Sequence, residues 1–124
     1  MSTHIHDLAA AAALAAGLAP DTLTADATGP TVDLIAGDGN CFAVQQVGQL
    51  TGDTVLTGHI EESADGTTWA AIAGAAFAAV VGANNVQAIR FTRTARYVRW
   101  AATVTGSEPS VNVAVLIGEQ RKTL

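Results

Sequence analysis

Glu61-Glu62-Ser63-Ala64-Asp65-Gly66-Thr67-Thr68-Trp69, followed further along by Arg96-Tyr97-Val98-Arg99-Trp100, decides how this chain is read. The first stretch is a strand that enters an Asp-Gly turn and leaves as another strand, because Gly66 takes the positive φ of a tight hairpin without steric cost. The second alternates its side chains between two faces. Together they predict a β-sandwich with a packed interior and no catalytic apparatus, and so a binding or assembly module.

Working outward, short β-type runs are separated by turn signals. Residues 31–35, 41–50, 55–63, 67–72, 86–94, 96–104 and 111–119 read as strands. Gly37-Asp38-Gly39-Asn40, Thr51-Gly52-Asp53, Asp65-Gly66 and residues 106–110 read as turns. Residues 73–85 carry small side chains and no assignable period. The expectation is an all-β, antiparallel β-sandwich or jelly roll of about seven or eight strands. Its core is expected from Val98, Trp100, Ala102 and Val104, from Val111, Val113, Val115 and Ile117, and from Phe91, Ile89, Trp69 and Ile72. Ala114 and Leu116 make the other row of the last strand apolar too, which predicts a central position or a neighbouring subunit over it.

Residues 1–30 read as an amino-terminal arm, 31–119 as the sandwich and 120–124 as a polar tail. The stretch 8–19 is apolar and rich in alanine, but shorter than the ~20 residues that cross a hydrocarbon layer. No Lys or Arg precedes it, as a secretory signal requires. It reads as a short helix, with Asp7 near its start, Gly17 near its end and Pro20 closing it. Such a helix is marginal alone and must dock through Leu8, Leu14 and Leu18. The tail and the arm are both candidates to order on a neighbour.

Composition narrows the function. The chain has 124 residues, 14% of them charged and 49% hydrophobic. Soluble domains carry about 25% charge, so part of this surface is expected to be covered by other subunits. A net charge of −5 argues against nucleic acid, whose phosphates demand clustered Lys and Arg. One cysteine, Cys41, excludes an internal disulfide and reads as a buried, inert thiol. His4 and His6 beside Asp7 lack a third metal ligand, and Asp33, Asp38, Asn40 and Asp53 lack the spacing of a calcium loop. No nucleophile elbow, phosphate loop or dinucleotide motif is present. Glu61 and Glu62 are adjacent, so a strand points them to opposite faces and they cannot work as an acid–base pair. No cofactor is expected. Arg90, Arg93, Arg96 and Arg99 recur every third residue, a period that makes no single stripe on a strand. They are expected to pair with acids such as Glu61, Glu62 and Asp65 or to reach a neighbouring subunit.

Two resemblances follow from these motifs. Ser63-x-Asp65-Gly66-x-x-Trp69 with Arg96-Tyr97-Val98-Arg99 is similar to the closing half of discoidin-type jelly rolls, which bind carbohydrate or lipid. The earlier half of that family's pattern is missing, so no glycan site carries over. More of the chain resembles small virion proteins of tailed bacteriophages of the capsid decoration or cement type. That resemblance runs from the leading segment 22–34, through the Asp65-Gly66 hairpin, Arg96-Tyr97-Val98-Arg99 and Val104-Thr105-Gly106, to the closing strand 113–118 and its polar tail. It implies a non-enzymatic protein on the capsid exterior, made in the host cytoplasm. Its partners would be the major capsid protein and copies of itself, with no membrane and no nucleic acid. The candidate interface residues are Leu8, Leu14, Leu18, Arg90, Arg93, Arg96, Arg99 and Leu116. A tail-tube or tail-associated protein and a glycan-binding attachment module are the competing readings. The second of these needs an exposed aromatic platform.

Overall fold

The period-two stretches become strands β1 (Ala12–Leu23), β2 (Ala27–Thr28), β3 (Val32–Asp33), β4 (Gly37–Leu50), β5 (Val55–Ser63), β6 (Ala70–Ala76), β7 (Asn85–Thr92), β8 (Tyr97–Thr105) and β9 (Val111–Arg121). This computed structural model describes residues 12–35 and 37–121. Sheet A has the order β1-β9-β4-β7, and sheet B the order β2-β8-β5-β6 with β3 also on β8. Every pairing is antiparallel. The expected all-β sandwich is what forms; β3 is the two-residue core of the expected strand 31–35, and β1 and β2 are additions to the expected set.

The two sheets close on one apolar layer. Val98, Trp100, Ala102 and Val104 of β8 and Val111, Val113, Val115 and Ile117 of β9 are buried, as their alternation predicts, and Phe91 is buried with them. Ile72 and Ile89 pack against this core while half-buried. Trp100 is wholly buried, and its indole Nε1 donates to Gln45 Oε1 at 3.0 Å. Gly58 lies across from this pair, where a Cβ would stand 2.6 Å from the indole nitrogen. Burying each large apolar side chain contributes roughly 1.5–3 kcal/mol, so this layer dominates stability.

Four expectations are corrected. The predicted helix over 8–19 is strand β1 from Ala12 onward, and its first residues, with Leu8, lie outside the described residues. Alanine's helix advantage is only tenths of a kcal/mol per residue, whereas β1 pairs with β9 from Ala12↔Gln120 to Leu23↔Val111 across two register shifts. Gly37-Asp38-Gly39-Asn40 is the start of β4 and not a turn. Gly37 allows close approach, since a Cβ there would overlap the Glu119 carboxylate, while Gly39 supplies a φ of 96° and its N–H donates to Glu119 Oε2 at 3.0 Å. Trp69 is half-buried outside the core. The Asp65-Gly66 turn is wider than a tight hairpin, since β6 begins only at Ala70.

That turn is built from side chains. Ser63 Oγ accepts from Gly66 N–H at 2.8 Å and donates to Asp65 Oδ1 at 2.9 Å. Asp65 Oδ1 also accepts from the Thr67 and Thr68 amides, each at 2.9 Å. Gly66 has φ of 79°, as expected for its role. Residues 73–85, which the sequence left open, fold Ala75, Phe77 and Val80 into the core. Backbone bonds tie them to β5, with Phe77 N–H donating to Gly58 O at 2.9 Å and Val80 N–H to Leu56 O at 2.8 Å. Gln87 then clamps Ala78, accepting from its N–H at 2.8 Å and donating to its O at 3.0 Å.

Candidate assembly face

The four arginines do four different things. Arg93 forms a buried ion pair with Glu119, whose side chain is wholly enclosed. Besides Nε to Oε2, Arg93 donates through an Nη to Glu119 Oε1 at 3.2 Å, to Leu34 O and to Ala95 O. Arg93 is therefore an internal clasp, and Glu119 is part of the fold. Arg96 pairs with Asp33 through two bonds of 2.9 and 2.7 Å, which hold the Asp33 carboxyl below its usual range. Arg99 donates to Glu61 Oε1 at 2.8 Å, the one pairing the sequence reading named. Among the described residues Glu62 and Asp65 take no arginine. Glu62 Oε1 accepts from the amides of Thr94 and Ala95 at 2.8 and 3.1 Å. Cys41 is buried beside Glu119, and burial first, then that carboxylate, push its thiol up to about 12.

The outer face of sheet B sets paired polar side chains among alanines, with Ala101 and Ala76 opposite His59 and Ala71 opposite Glu61. Glu61 on β5 lies opposite Arg99 on β8, and Thr57 opposite Thr103. Glu61 Oε2 also meets His59 Nε2 at 3.1 Å. Burial raises the Glu61 carboxyl, but Arg99 and His59 outweigh it and hold the group below its ordinary value. The Arg99 guanidinium carbon stands 4.3 Å from the centroid of the Trp69 ring, which places a cation on one face of that indole.

The outer face of sheet A is different. Its strand register lines up three cross-strand rows. The first is Leu14, Gly118, Phe42 and Arg90, the second is Ala16, Leu116, Val44 and Ala88, and the third is Ala114, Gln46 and Val86. Leu14 is 57% exposed, Val86 63% and Leu116 38%. Among the described residues the remaining large exposed apolar side chains, Ile35 and Val81, lie between strands. Phe42 lies across Gly118, where a Cβ would strike its ring. Arg90 is the one charged side chain in these rows. Toward one end Thr22 Oγ1 donates to Asn112 Oδ1 at 2.7 Å, beside a shallow hollow of about 470 Å³ lined by Pro20, Asp21, Gln46 and Gly48.

Of the candidate interface residues, the structure thus brings Leu14, Arg90 and Leu116 onto one face. It turns Leu18 toward the core and commits Arg93, Arg96 and Arg99 to partners within the chain. Phe42, Val44 and Val86 complete the face and were missed, because an apolar residue on a strand predicted to be half-buried is assigned inward by default. The signal that finds them is the double apolar row of β4 and β9 read together. Contiguous apolar surface of this kind marks an interaction site more often than isolated exposed leucines do. No protein-family model and no curated protein matches this chain.

Proposed function

We propose that this chain is a non-enzymatic virion structural protein of a tailed bacteriophage, acting on the capsid exterior as a decoration or cement protein. The observation that carries the reading is the uncharged centre of the outer face of sheet A, set on a rigid sandwich whose opposite face pairs its charges within the chain. A cement protein needs no chemistry. It buries surface on neighbours repeatedly around a closed shell, so modest contacts sum to high avidity. The acidic balance of the chain, net −5, keeps decorated particles apart.

Two measurements test the proposal. Labelled protein added to particles should coat heads, and a tail-only signal would assign it to the tail instead. Heads carrying the protein should also withstand heating that opens bare heads. The contribution of the amino-terminal arm is tested by deleting residues 1–11, since a longer deletion would strip β1 from sheet A. The glycan-binding alternative is weakened by Arg99, which occupies a face of the Trp69 ring that a sugar would need.

A further inference from the structure

We infer that the outer face of sheet A joins two copies of this chain, sheet against sheet, about a two-fold axis running along the strands. The inference rests on reading that face as an assembly surface, and it names the partner.

The register carries the argument. The row Ala16, Leu116, Val44, Ala88 runs small, large, large, small across β1, β9, β4 and β7. A two-fold axis along the strands sets β9 over the partner copy's β4 and β1 over its β7. The row then meets its own reversed image, with Leu116 and Val44 interleaving at the centre and alanines at both margins. Self-complementarity of this sort is the condition for an isologous interface.

Charge points the same way. A partner of strong opposite charge would find little to pair with, because Arg90 is the only ionised group in the three rows. A second copy brings the same neutral centre, so two chains of net −5 meet without a carboxylate in the three rows, Asp21 lying at the end of the face beside the hollow. β9 illustrates the exclusion, since its one carboxylate, Glu119, is turned inward and buried against Arg93. Four strands about 4.8 Å apart, each with about nine residues rising ~3.3 Å, make a face of roughly 570 Å². Twice that is close to the ~1,200 Å² lower bound for specific interfaces. The pair should therefore be weak, with dissociation in the micromolar range or above.

The test is sedimentation velocity of the full chain from about 1 µM to about 1 mM, a span that brackets such affinities. The expected result is a shift from monomer to dimer across the range. Leu116→Glu should weaken it at least about 100-fold by burying a carboxylate without a partner, while Thr103→Glu on sheet B should leave it unchanged. Circular dichroism of both variants checks that they fold. For the axis, chains carrying Leu116→Cys and chains carrying Val44→Cys are mixed under mild oxidation. The mixture should form the mixed disulfide faster than either variant forms its own. A wild-type chain that stays monomeric throughout, or equal weakening by Thr103→Glu, would overturn the inference. Faster self-linking of Leu116→Cys would overturn the axis. A monomer that still coats heads leaves the decoration reading intact, and a dimer absent from particles removes that reading while the inference stands.

Discussion

The two outer faces of this sandwich are made by the same strand grammar and differ in what they do with charge. On sheet B, Glu61, Arg99 and His59 are half-buried and bonded to one another, with Trp69 under the guanidinium. On sheet A the rows through Leu116 and Phe42 exclude carboxylates, and the one acid of β9 is folded inside. An exposed ion pair adds little to stability, whereas a buried one is costly to break. Sheet B thus pairs its charges among its own side chains, whereas sheet A presents apolar rows without a carboxylate.

The strongest challenge to this contrast is Glu119→Ala. It strands the Arg93 guanidinium and leaves the Gly39 N–H without its acceptor, so unfolding free energy should fall by about 3–5 kcal/mol in urea titrations. A loss under 1 kcal/mol would mean that the acid was not needed inside and that its exclusion from the face has another cause. Next in size is Gly118→Ala. The new methyl must displace Phe42 from its seat across sheet A, and a loss of about 1–3 kcal/mol is expected by overpacking. On the other face, Arg99→Ala removes a half-buried pair and a stacked cation, and thermal melts should show a loss of about 1–2 kcal/mol, smaller than that of Glu119→Ala. A larger drop there would erase the distinction between the faces.

Sheet A's role was half legible in the sequence. Leu116 and Ala114 announced a second apolar row on β9, because a strand with both rows apolar must be covered on both sides. Its extension across Phe42, Val44 and Val86 required the register, which no local pattern supplies. The core rows of β8 and β9 were read correctly from period two alone. The helix over 8–19 failed because alanine suits either structure, and pairing with β9 decided the matter. Gly37 and Gly39 were taken for a turn because glycine signals turns, tight packing and positive φ alike; the distant Glu119 explains Gly37, and a φ of 96° within β4 explains Gly39. Residues 73–85 have too little amphipathic contrast to read, yet Phe77 and Val80 fill the core through bonds to β5.

Titration gives the smallest and most selective test of the contrast. Asp65, Asp33 and Glu61 all have carboxyls held below their ordinary range, Asp65 by the Thr68 and Thr67 amides, Asp33 by Arg96, and Glu61 by Arg99 and His59 against burial. All three serve sheet B or its turn. A carboxyl depressed in the folded state adds stability that is complete above its unfolded pKa, about 4, and disappears as pH falls below it. Acid should therefore weaken the protein through sheet B, with stability flat above about pH 5 and falling below about pH 4. Asp65→Asn should be less stable than wild type at pH 7, and the gap should close on acidification, as urea midpoints at each pH would record. If the gap stays constant down to pH 2, the Thr67 and Thr68 amides do not depend on the ionised carboxylate. Leu116→Glu, which places a carboxylate on the face that has none in its rows, should match wild type in stability at neutral pH within about 0.5 kcal/mol. A variant that alters association while leaving folding untouched would locate the molecule's unfinished surface on sheet A.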